Sequence, residues 1–554
     1  MSEVSEAVEK PVYFHSALAR ALSDNGVKTI FGVIGDANLY MVDDFIREHH
    51  GEYVAAATEA SVVLMALGYA SVTGKPGVAT VTHGPAVTNT LTSLIEGVKA
   101  QLPILLVCGD TSVEVLGHPQ DCAQRELIVA TGAGFEQLRS PATLSQDLAR
   151  ALRRAVLERR PIALNVPITF QREKVAYHKV VRPPPEAQGR VPGGEAFDNA
   201  VGIIAAARAP IVLAGRGASN PEAKAALVRL AERIGAPLAT TLKAQSLFRG
   251  EAFNLGIFGS LSTPPAVEAI QKADCVIAFG ASMNVFTAAR GGFLKRKRLV
   301  QCNTDLADIG QVYPVHAALA GDPAAVADAI VRTLDEAEIS ASGFRTDSLE
   351  ASLAAHSAVD GLTDMGTDTT VDARLAIHRL GKAVPADRTL IMDGGRFLGS
   401  AWEFLDVPEP QAYVHTIAFG SVGLGVAYGV GAAMAAKGRP ALVMCGDGGF
   451  MLGGLVEFNT AVRYGLDMIV IVCNDSAYGA EHIQFRSKNM DPSLALFAWP
   501  EFAAVARALG GDGVTVRNAA DLPNAEAAIR NRSRTRPLLI ELKCDPDHMT
   551  PSPW

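Results

Sequence analysis

The sequence lacks any excess of positive charge and has few charged residues of either sign. Its 554 residues include 50 Lys or Arg and 58 Asp or Glu, so the formal net charge is −8. Proteins that bind nucleic acids gain affinity by neutralising phosphates, so this balance argues against nucleic acid as a partner. The charged share of 19%, against 49% hydrophobic residues, also argues against disorder. At about 150 residues per domain, the length predicts three or four domains.

The sequence also lacks paired-cysteine motifs and an apolar leader. It has seven cysteines, an odd number, and no two of them are spaced as CxxC. Cys108, Cys445 and Cys473 lie in apolar runs, where cysteine behaves as a small hydrophobic residue. The N-terminal stretch MSEVSEAVEK is polar and acidic, unlike a signal peptide. We therefore expect a reducing compartment and a cytoplasmic protein.

One long uncharged run, Thr416 to Ala436, has the length of a membrane span. It contains five glycines, and polar chain surrounds it. We therefore expect a buried turn and helix there, and no membrane partner.

Short apolar runs alternate with helical patterns along most of the chain, which predicts an α/β protein with parallel sheets. Most of these runs end in Gly, Asp or Asn, as strands do before a ligand-facing loop. Two stretches, 180–195 and 335–370, are typical of linkers. They divide the chain into predicted domains at 1–180, 195–335 and 370–554.

A glycine-rich motif follows one of the predicted strands. The segment ALVMCGDGGF, at 441–450, predicts a strand, a turn and a helix that begins beside an anion. Asp447 stands between Gly446 and Gly448, and a carboxylate near a phosphate needs a cation such as Mg²⁺ between them. Asn474 ends the next predicted strand, so it is a candidate second ligand. The backbone carbonyl of Ser476 is a candidate third.

Other interpretations of this motif stay open at this point. The glycines are also compatible with a simple tight turn, and the segment after Asn474 with a plain loop. A dinucleotide site is the main rival, but it favours G-x-G-x-x-G and an acid at the end of the next strand. The present pattern is GDGGFM, and the next strand ends in Asn.

Motifs along nearly the whole chain resemble the thiamine-diphosphate enzymes of the decarboxylase and acetolactate-synthase superfamily. The resemblance rests on TEA at 58–60, THGP at 82–85, PIVLAGRGA at 210–218, ADCVIAFGASMN at 273–284, GSVG at 420–423 and the GDG motif with its following Asn. It implies three doubly wound parallel-sheet domains. In chain order these are a pyrimidine-binding, a central Rossmann-like and a diphosphate-binding domain.

The resemblance also implies the residues that bind the cofactor. Glu59 would bond the aminopyrimidine ring and activate the cofactor. Val422 would support the bent cofactor, and the Gly420 carbonyl would accept a bond from its amino group. The diphosphate would lie against a set of glycines: Gly395, Gly446, Gly448 and Gly449. Because the family joins its first and third domains across two subunits, we expect a homodimer or homotetramer.

Four further residues are implied to face the substrate. Asp36 and Glu481 resemble acidic residues of pyruvate and indolepyruvate decarboxylases, and His83 resembles an active-site histidine of benzoylformate decarboxylase. Gln124 falls where acetolactate synthases have a glutamine, in a segment where those two decarboxylases have adjacent histidines. The two acidic residues favour decarboxylation, and Gln124 favours ligation.

The implied activity is a lyase that uses thiamine diphosphate and Mg²⁺ to decarboxylate a 2-oxo acid. It would release an aldehyde, or ligate the enamine to an aldehyde or ketone acceptor. Three alternatives stay open: an acetolactate-synthase-like carboligase, a flavin-containing oxidase of the same superfamily and a non-catalytic paralogue. The run GASMNVFTAARGG lacks the Arg-Phe-Asp-Asp pattern of acetolactate synthases, which argues against FAD in the central domain.

Overall fold

The computed structural model describes residues 10–112, 114–184 and 189–548. The chain divides into two compact units. Within the described residues, the first unit contains 10–184, 365–398 and 414–548, and the second contains 189–364 and 399–413. Part of the predicted 180–195 linker lies outside the described residues, and the predicted domain boundaries stay a prediction.

The first unit begins with a six-stranded parallel sheet. The strands of this part of the chain are β1 Val12–Tyr13, β2 Thr29–Gly32, β3 Glu52–Ala55, β4 Gly77–Val81, β5 Ile104–Asp110, β6 Gly134–Gln137, β7 Pro161–Pro167 and β8 Lys174–Val175. The sheet order is β3-β2-β4-β5-β7-β6, and β1 pairs with β8 in a separate two-stranded sheet. The central strands are continuous apolar runs because helices cover both faces of a parallel sheet.

The helices that connect these strands are mostly amphipathic or wholly buried. They are α1 Phe14–Asp24, α2 Leu39–Arg47, α3 Glu59–Thr73, α4 Pro85–Thr88, α5 Leu91–Ala100, α6 Gln124–Ala130 and α7 Leu144–Glu158, with 3-10 turns at Pro141–Thr143 and Ile168–Arg172. Helix α3 is apolar all round and begins at Glu59.

The second unit contains a second six-stranded parallel sheet. Its strands are β9 Pro210–Ala214, β10 Leu238–Thr240, β11 Asn254–Ile257, β12 Cys275–Phe279, β13 Arg298–Asn303 and β14 Ala317–Ala320. Its helices are α8 Glu195–Ala205, α9 Pro221–Ile234, α10 Pro264–Lys272, α11 Pro323–Glu336 and α12 Asp347–Ala355, with 3-10 turns at Arg216–Ala218, Leu242–Ala244, Gly292–Leu294 and Leu306–Asp308. The order β11-β10-β9-β12-β13-β14 is that of a Rossmann fold.

The stretch 335–370 is more structured than its composition predicts. It contains α12, whose Leu349 and Leu353 pack against the apolar cluster under α10. These leucines are four residues apart, so they share one face of the helix. Because only this narrow apolar stripe is present, the sequence pattern alone predicts a linker.

The third six-stranded parallel sheet belongs to the C-terminal part of the chain. Its strands are β15 Thr389–Met392, β16 Tyr413–His415, β17 Ala441–Gly446, β18 Met468–Asn474, β19 Asp512–Val516 and β20 Leu538–Lys543. The order is β16-β15-β17-β18-β20-β19, which repeats the topology of the first sheet strand for strand. In both sheets the order reverses between the first and third strands in sequence, where α/β proteins bind ligands at the carboxyl ends.

The C-terminal helices follow the same alternation. They are α13 Ala373–Ala383, α14 Leu398–Phe404, α15 Gly425–Ala435, α16 Asp447–Gly449, α17 Leu455–Arg463, α18 Gly479–Ser487, α19 Phe502–Ala508 and α20 Leu522–Arg530, with 3-10 turns at Pro410–Ala412, Pro492–Ala495 and Ala519–Asp521. A π-helical segment, Phe450–Gly454, joins α16 to α17. No helix among the residues described is both long and apolar enough to cross a membrane.

Helices α3 and α15 pack against each other inside the first unit. A Cβ atom added at Gly68 would lie 2.1 Å from the carbonyl oxygen of Tyr428, and one at Gly431 would lie 1.8 Å from that of Met65. Residue 65 therefore faces 431 and residue 68 faces 428, so the helices run antiparallel. The uncharged run 416–436 is a turn followed by this buried helix, as the sequence predicts.

Candidate active site

Two predicted metal ligands lie side by side at the end of the third sheet. Strands β17 and β18 are paired in parallel, with Gly446 opposite Cys473. Asp447 follows Gly446 and Asn474 follows Cys473, so the two residues lie next to each other at the same edge of the sheet. Both side chains are buried.

Asp447 is the first residue of α16, so the predicted glycine-rich turn is the first turn of a helix. Its Oδ1 atom accepts the N–H of Gly448 at 2.8 Å. Its Oδ2 atom accepts the backbone N–H of Ala477 at 3.2 Å and the indole N–H of Trp499 at 2.9 Å. Because the first N–H groups of a helix have no partner within it, this terminus favours an anion.

Asn474 and Ser476 form a tight turn after β18. The Oδ1 atom of Asn474 accepts the N–H of Ser476 at 3.0 Å, and Ser476 adopts φ = 53°, in the left-handed region. The carbonyl oxygen of Ser476 accepts the N–H of Phe497 at 2.8 Å, which leaves one lone pair. The Nδ2 group of Asn474 donates to Glu541 at 2.7 Å.

Negative charge is crowded at this edge of the sheet. Burial raises the pKa of the Asp447 carboxyl to about 6. Burial and the neighbouring Asp447 raise the pKa of Asp475 to about 7. A cation between these groups would relieve the cost of burying them.

A loop, residues 417–424, approaches the same region and carries Gly420 and Val422. Glu96 of α5 accepts the N–H groups of Ala418 at 2.9 Å and Phe419 at 2.6 Å. The apolar side chain of Val422 is 39% exposed. Space around Gly420 is open, because a Cβ atom added there would meet nothing within 4 Å.

Asp393, which follows β15, holds the other end of this loop. Its carboxylate accepts the N–H groups of Gly423 at 3.0 Å and Leu424 at 3.4 Å. Burial raises the pKa of Asp393 to about 6, although these N–H groups act to lower it. Gly395 lies nearby, because a Cβ atom on its neighbour Gly394 would be 2.7 Å from Val422 Cγ1.

Glu59 lies elsewhere in the same unit. Glu59 is the first residue of α3, and the side chain of the preceding Thr58 accepts the N–H of Ser61. The Glu59 carboxylate accepts a hydrogen bond from the Asn89 side chain at 3.1 Å. Since α3 and α15 run antiparallel, Glu59 and Val422 lie at opposite ends of the pair. At 1.5 Å per residue, the separation within one chain is roughly 20 Å.

Asp36 and His83 meet at the edge of the first sheet, where its strand order reverses. The Nε2 atom of His83 is 3.7 Å from Asp36 Oδ2, and Thr82 donates to Asp36 Oδ1 at 2.7 Å. His83 is 1% exposed, and its Nδ1 atom has no hydrogen-bond partner. The ring of His118 packs edge-on against it, with centroids 5.6 Å apart. His118 is one member of this group that the sequence motifs do not single out.

The other two predicted substrate-facing residues have different surroundings. Gln124 is buried, and its amide bonds the N–H of Gly84 at 2.6 Å, the carbonyl of Gly109 at 2.9 Å and Asn165 at 2.9 Å. It therefore fixes the turn after His83 from inside the domain. Glu481 is exposed in the first turn of α18.

The residues at the end of the third sheet fit a magnesium ion and a diphosphate. The donor atoms are a carboxylate, an amide oxygen and a backbone carbonyl, which are the oxygen ligands that Mg²⁺ prefers. The helix that begins at Asp447 has two glycines in its first turn, where the backbone can approach a phosphate closely. Four residues that hydrogen-bond to this site or to the loop 417–424 are not among the predicted site residues: Glu96, Asp393, Trp499 and Glu541.

Comparisons with known proteins agree with this geometry. Three segments match the thiamine pyrophosphate enzymes: residues 14–129 their N-terminal TPP binding domain, 197–330 their central domain and 393–542 their C-terminal TPP binding domain. The sheet edges that carry Asp36, His83 and Asp447 lie in the first and third of these segments.

Curated relatives match along nearly their full lengths. A probable 2-ketoarginine decarboxylase of Pseudomonas aeruginosa is 30% identical, with 97% of this chain and 94% of the relative covered. A sulfoacetaldehyde acetyltransferase of Alcaligenes xylosoxydans xylosoxydans is 27% identical, with 94% and 91% covered. An acetolactate synthase of Mycobacterium leprae is 26% identical, with 93% and 85% covered. The chain therefore belongs to the thiamine pyrophosphate enzymes, the thiamine-diphosphate-dependent enzymes that make or break carbon–carbon bonds.

Proposed function

We propose that this enzyme decarboxylates a 2-oxo acid with thiamine diphosphate and Mg²⁺. It then releases an aldehyde or joins the product to a second carbonyl compound. The observation that carries the proposal is the pairing of β17 with β18, which brings Asp447 and Asn474 together at a helix N-terminus. When bound, the cofactor would supply a nucleophilic carbon for reaction with the 2-oxo group.

Residues of the third sheet would hold the cofactor's diphosphate. Asp447, Asn474 and the Ser476 carbonyl would bind Mg²⁺, and the backbone at Gly446, Gly448 and Gly449 would lie against the phosphates. The loop with Gly420 and Val422 would support the ring systems, and Gly395 would border them. We assign the metal to the oxygen ligands and the phosphates to the glycines because both lie at the same edge of the sheet.

The activating carboxyl group would come from a second copy of the chain. Glu59 and Val422 are too far apart in one chain to meet on one cofactor, so a homodimer would complete each site. A homotetramer would contain two such dimers. Glu59 would then exchange a proton with the aminopyrimidine ring.

The substrate side of the site favours proton transfer. Asp36 and the buried His83 would donate the proton that completes aldehyde release, and Gln124 would fix the turn on which His83 lies. Glu481 would be a further proton donor. It lies in the first turn of α18, the helix that follows the turn at Asn474 and Ser476. Removal of these donors should shift the products from aldehyde towards ligation.

The test is a panel of 2-oxo acids incubated with the purified protein, with and without thiamine diphosphate and Mg²⁺. The panel includes pyruvate, 2-ketoarginine and an aromatic 2-oxo acid, each with and without an aldehyde acceptor. Carbon dioxide release that requires both additions supports the proposal, and its absence throughout would contradict it and favour a non-catalytic protein.

Two further expectations belong to the same proposal. We propose that the enzyme works without FAD, so the purified protein should show no flavin absorbance. We also propose a cytoplasmic location, because all seven cysteines are free and six of them are buried. A yellow protein with a flavin spectrum would instead favour the oxidase alternative.

A further inference from the structure

We propose that Trp499 and Glu541 are positioning residues for the two side chains that would bind Mg²⁺. Trp499 would orient the carboxylate of Asp447, and Glu541 would orient the amide of Asn474. The inference rests on the proposed function, because it concerns the metal ligands named there. Neither residue belongs to the motifs that indicate the family.

Trp499 occupies one side of the Asp447 carboxylate. Its indole N–H donates to Oδ2 at 2.9 Å, and the Ala477 N–H donates to the same oxygen at 3.2 Å. Two donors use both lone-pair directions of Oδ2. The other oxygen, Oδ1, accepts only the N–H of Gly448 among these groups, so it keeps a direction for a cation.

The indole is held in place by other aromatic rings. Its ring stacks on Phe497 at 4.8 Å with an interplanar angle of 15°, and Phe497 packs on Tyr478 at 4.5 Å. Tyr478 lies over the glycine motif, because a Cβ atom at Gly448 would be 2.8 Å from its ring. This aromatic row, Tyr478, Phe497 and Trp499, therefore fixes the direction of the indole N–H relative to α16.

Glu541 fixes the amide of Asn474 from the next strand. It lies in β20, is fully buried, and its Oε1 atom accepts the Nδ2–H of Asn474 at 2.7 Å. Since the amide nitrogen is bonded on this side, the amide oxygen must point the other way. There it accepts the N–H of Ser476 at 3.0 Å and the Ser476 hydroxyl at 3.2 Å, and this hydroxyl can rotate to leave a direction for the cation. Without an acceptor at 541, the amide could rotate and present its NH₂ group to the metal.

The charge of Glu541 is compensated inside the protein. Lys543 lies 2.5 Å from the same Oε1 atom, and the N–H of Ala503 donates to Oε2 at 3.3 Å. A buried carboxylate with these partners remains an acceptor. Hydrogen bonds of this kind to metal ligands typically change metal affinity by about 10–100-fold when they are removed.

The experiment measures Mg²⁺ binding by titration calorimetry at saturating thiamine diphosphate. Trp499→Phe removes the N–H but keeps a ring that can stack on Phe497. Trp402→Phe is the matched control, because its indole donates to Tyr413 in the other unit. Glu541→Leu removes the acceptor for Asn474, while Glu541→Gln retains an oxygen that can accept.

Trp499→Phe and Glu541→Leu should each weaken Mg²⁺ binding by about 10-fold or more. Trp402→Phe should bind as the wild type does, and Glu541→Gln should fall between wild type and Glu541→Leu. Saturating Mg²⁺ should restore most of kcat in Trp499→Phe. The melting temperature of each apo variant separates lost metal affinity from lost folding.

Two results would overturn the inference. One is wild-type Mg²⁺ affinity in both Trp499→Phe and Glu541→Leu. The other is a loss of affinity in Trp402→Phe equal to that in Trp499→Phe, which would indicate a general structural effect. If Trp499→Phe fails to fold, Trp499→His, which keeps a ring N–H, and the Glu541 pair carry the same test. Failure of the wild type itself to bind Mg²⁺ and cofactor would instead contradict the proposed function.

Discussion

The Oε2 atom of Glu96 accepts the backbone N–H of Phe419 at 2.6 Å, which ties a helix of the first domain to a loop of the third. The same carboxylate accepts the N–H of Ala418, and Lys99, one turn further along α5, lies over the Phe419 ring. Gly420 and Val422 follow directly. The position of the loop proposed to support the cofactor thus depends on a buried acid in helix α5.

Replacing Glu96 should therefore weaken cofactor binding. Glu96→Ala leaves two N–H groups without their acceptor, at a cost of about 2 kcal/mol. The cofactor must then order the loop without this acceptor when it binds. Thiamine diphosphate should therefore bind about 30-fold more weakly. Calorimetric titration at saturating Mg²⁺ measures it. Glu48→Gln, an exposed acid at the end of α2, is the control and should leave the affinity unchanged. Unaltered binding in Glu96→Ala would show that the loop holds its shape without this bond.

The second prediction concerns which copy of the chain supplies Glu59. Glu59→Gln should lower turnover by about 100-fold or more while cofactor and Mg²⁺ still bind, because only proton transfer is lost. Asp447→Ala should fail to bind Mg²⁺. If Glu59 acts across a dimer, mixing the two inactive variants after dissociation should produce mixed dimers with one intact site.

Random exchange would return about a quarter of wild-type activity, since half the dimers are mixed and each has one good site of two. The measurement is carbon dioxide release after refolding or subunit exchange, with each variant alone as control. No recovery, despite mixed dimers demonstrated by differential tagging, would mean that Glu59 and Asp447 act within one chain.

The neighbouring positions of Asp447 and Asn474 could be predicted from the sequence because the information is local. The strand, the GDG motif and the following strand occupy a single stretch, and parallel pairing then brings Asp447 beside Asn474. The α/β class and three parallel sheets are confirmed for the same reason, since apolar strand runs are continuous in sequence. The family resemblance also implies a role for Glu59. The residues around Glu59 by themselves indicate only the start of a helix.

The residues that hold the site from a distance could not be predicted in this way. Glu96 contacts Phe419 across 323 positions, and Glu541 contacts Asn474 across 67. Glu96 is the only acidic residue in the apolar helix LTSLIEGVKA, which indicates that it has a buried hydrogen-bond partner. The sequence spacing does not identify that partner. Trp499 follows a segment without regular periodicity, so its bond to Asp447 depends entirely on tertiary packing.

The third prediction is a pH dependence of stability centred on Asp393. Burial raises its pKa from 3.8 to about 6 in the folded protein, so the folded state binds the proton more tightly than the unfolded state. This group therefore stabilises the fold fully below pH ~4, and the contribution is lost as pH rises through about 6. The difference amounts to about 3 kcal/mol.

Asp393→Asn cannot titrate, so its melting temperature should gain on that of the wild type as pH rises from about 4 to about 7. Thermal melts of both proteins across that interval provide the measurement. Asp347→Asn, on the exposed face of α12, controls for the change in net charge. Melting curves that stay parallel for wild type and Asp393→Asn would contradict the assignment.

The last prediction tests the close contact of α3 with α15. A Cβ atom at Gly431 would lie 1.8 Å from the carbonyl oxygen of Met65, a backbone atom that cannot rotate away. Gly431→Ala should therefore force the helices apart and destabilise the protein by about 3 kcal/mol or more. Since α15 begins directly after the loop 417–424, we also expect weaker cofactor binding.

Gly202 of α8 is the matched control, because an added Cβ atom there meets nothing within 4 Å. Gly202→Ala should stabilise its helix by about 0.5–1 kcal/mol, since alanine loses less backbone entropy than glycine on folding. Thermal melts compare the two alanine variants, and calorimetry compares their cofactor affinity. Opposite signs of the two melting shifts are expected because the substitution is the same and only the space around Cβ differs. Equal shifts would mean that backbone propensity, and not the contact between α3 and α15, determines the response.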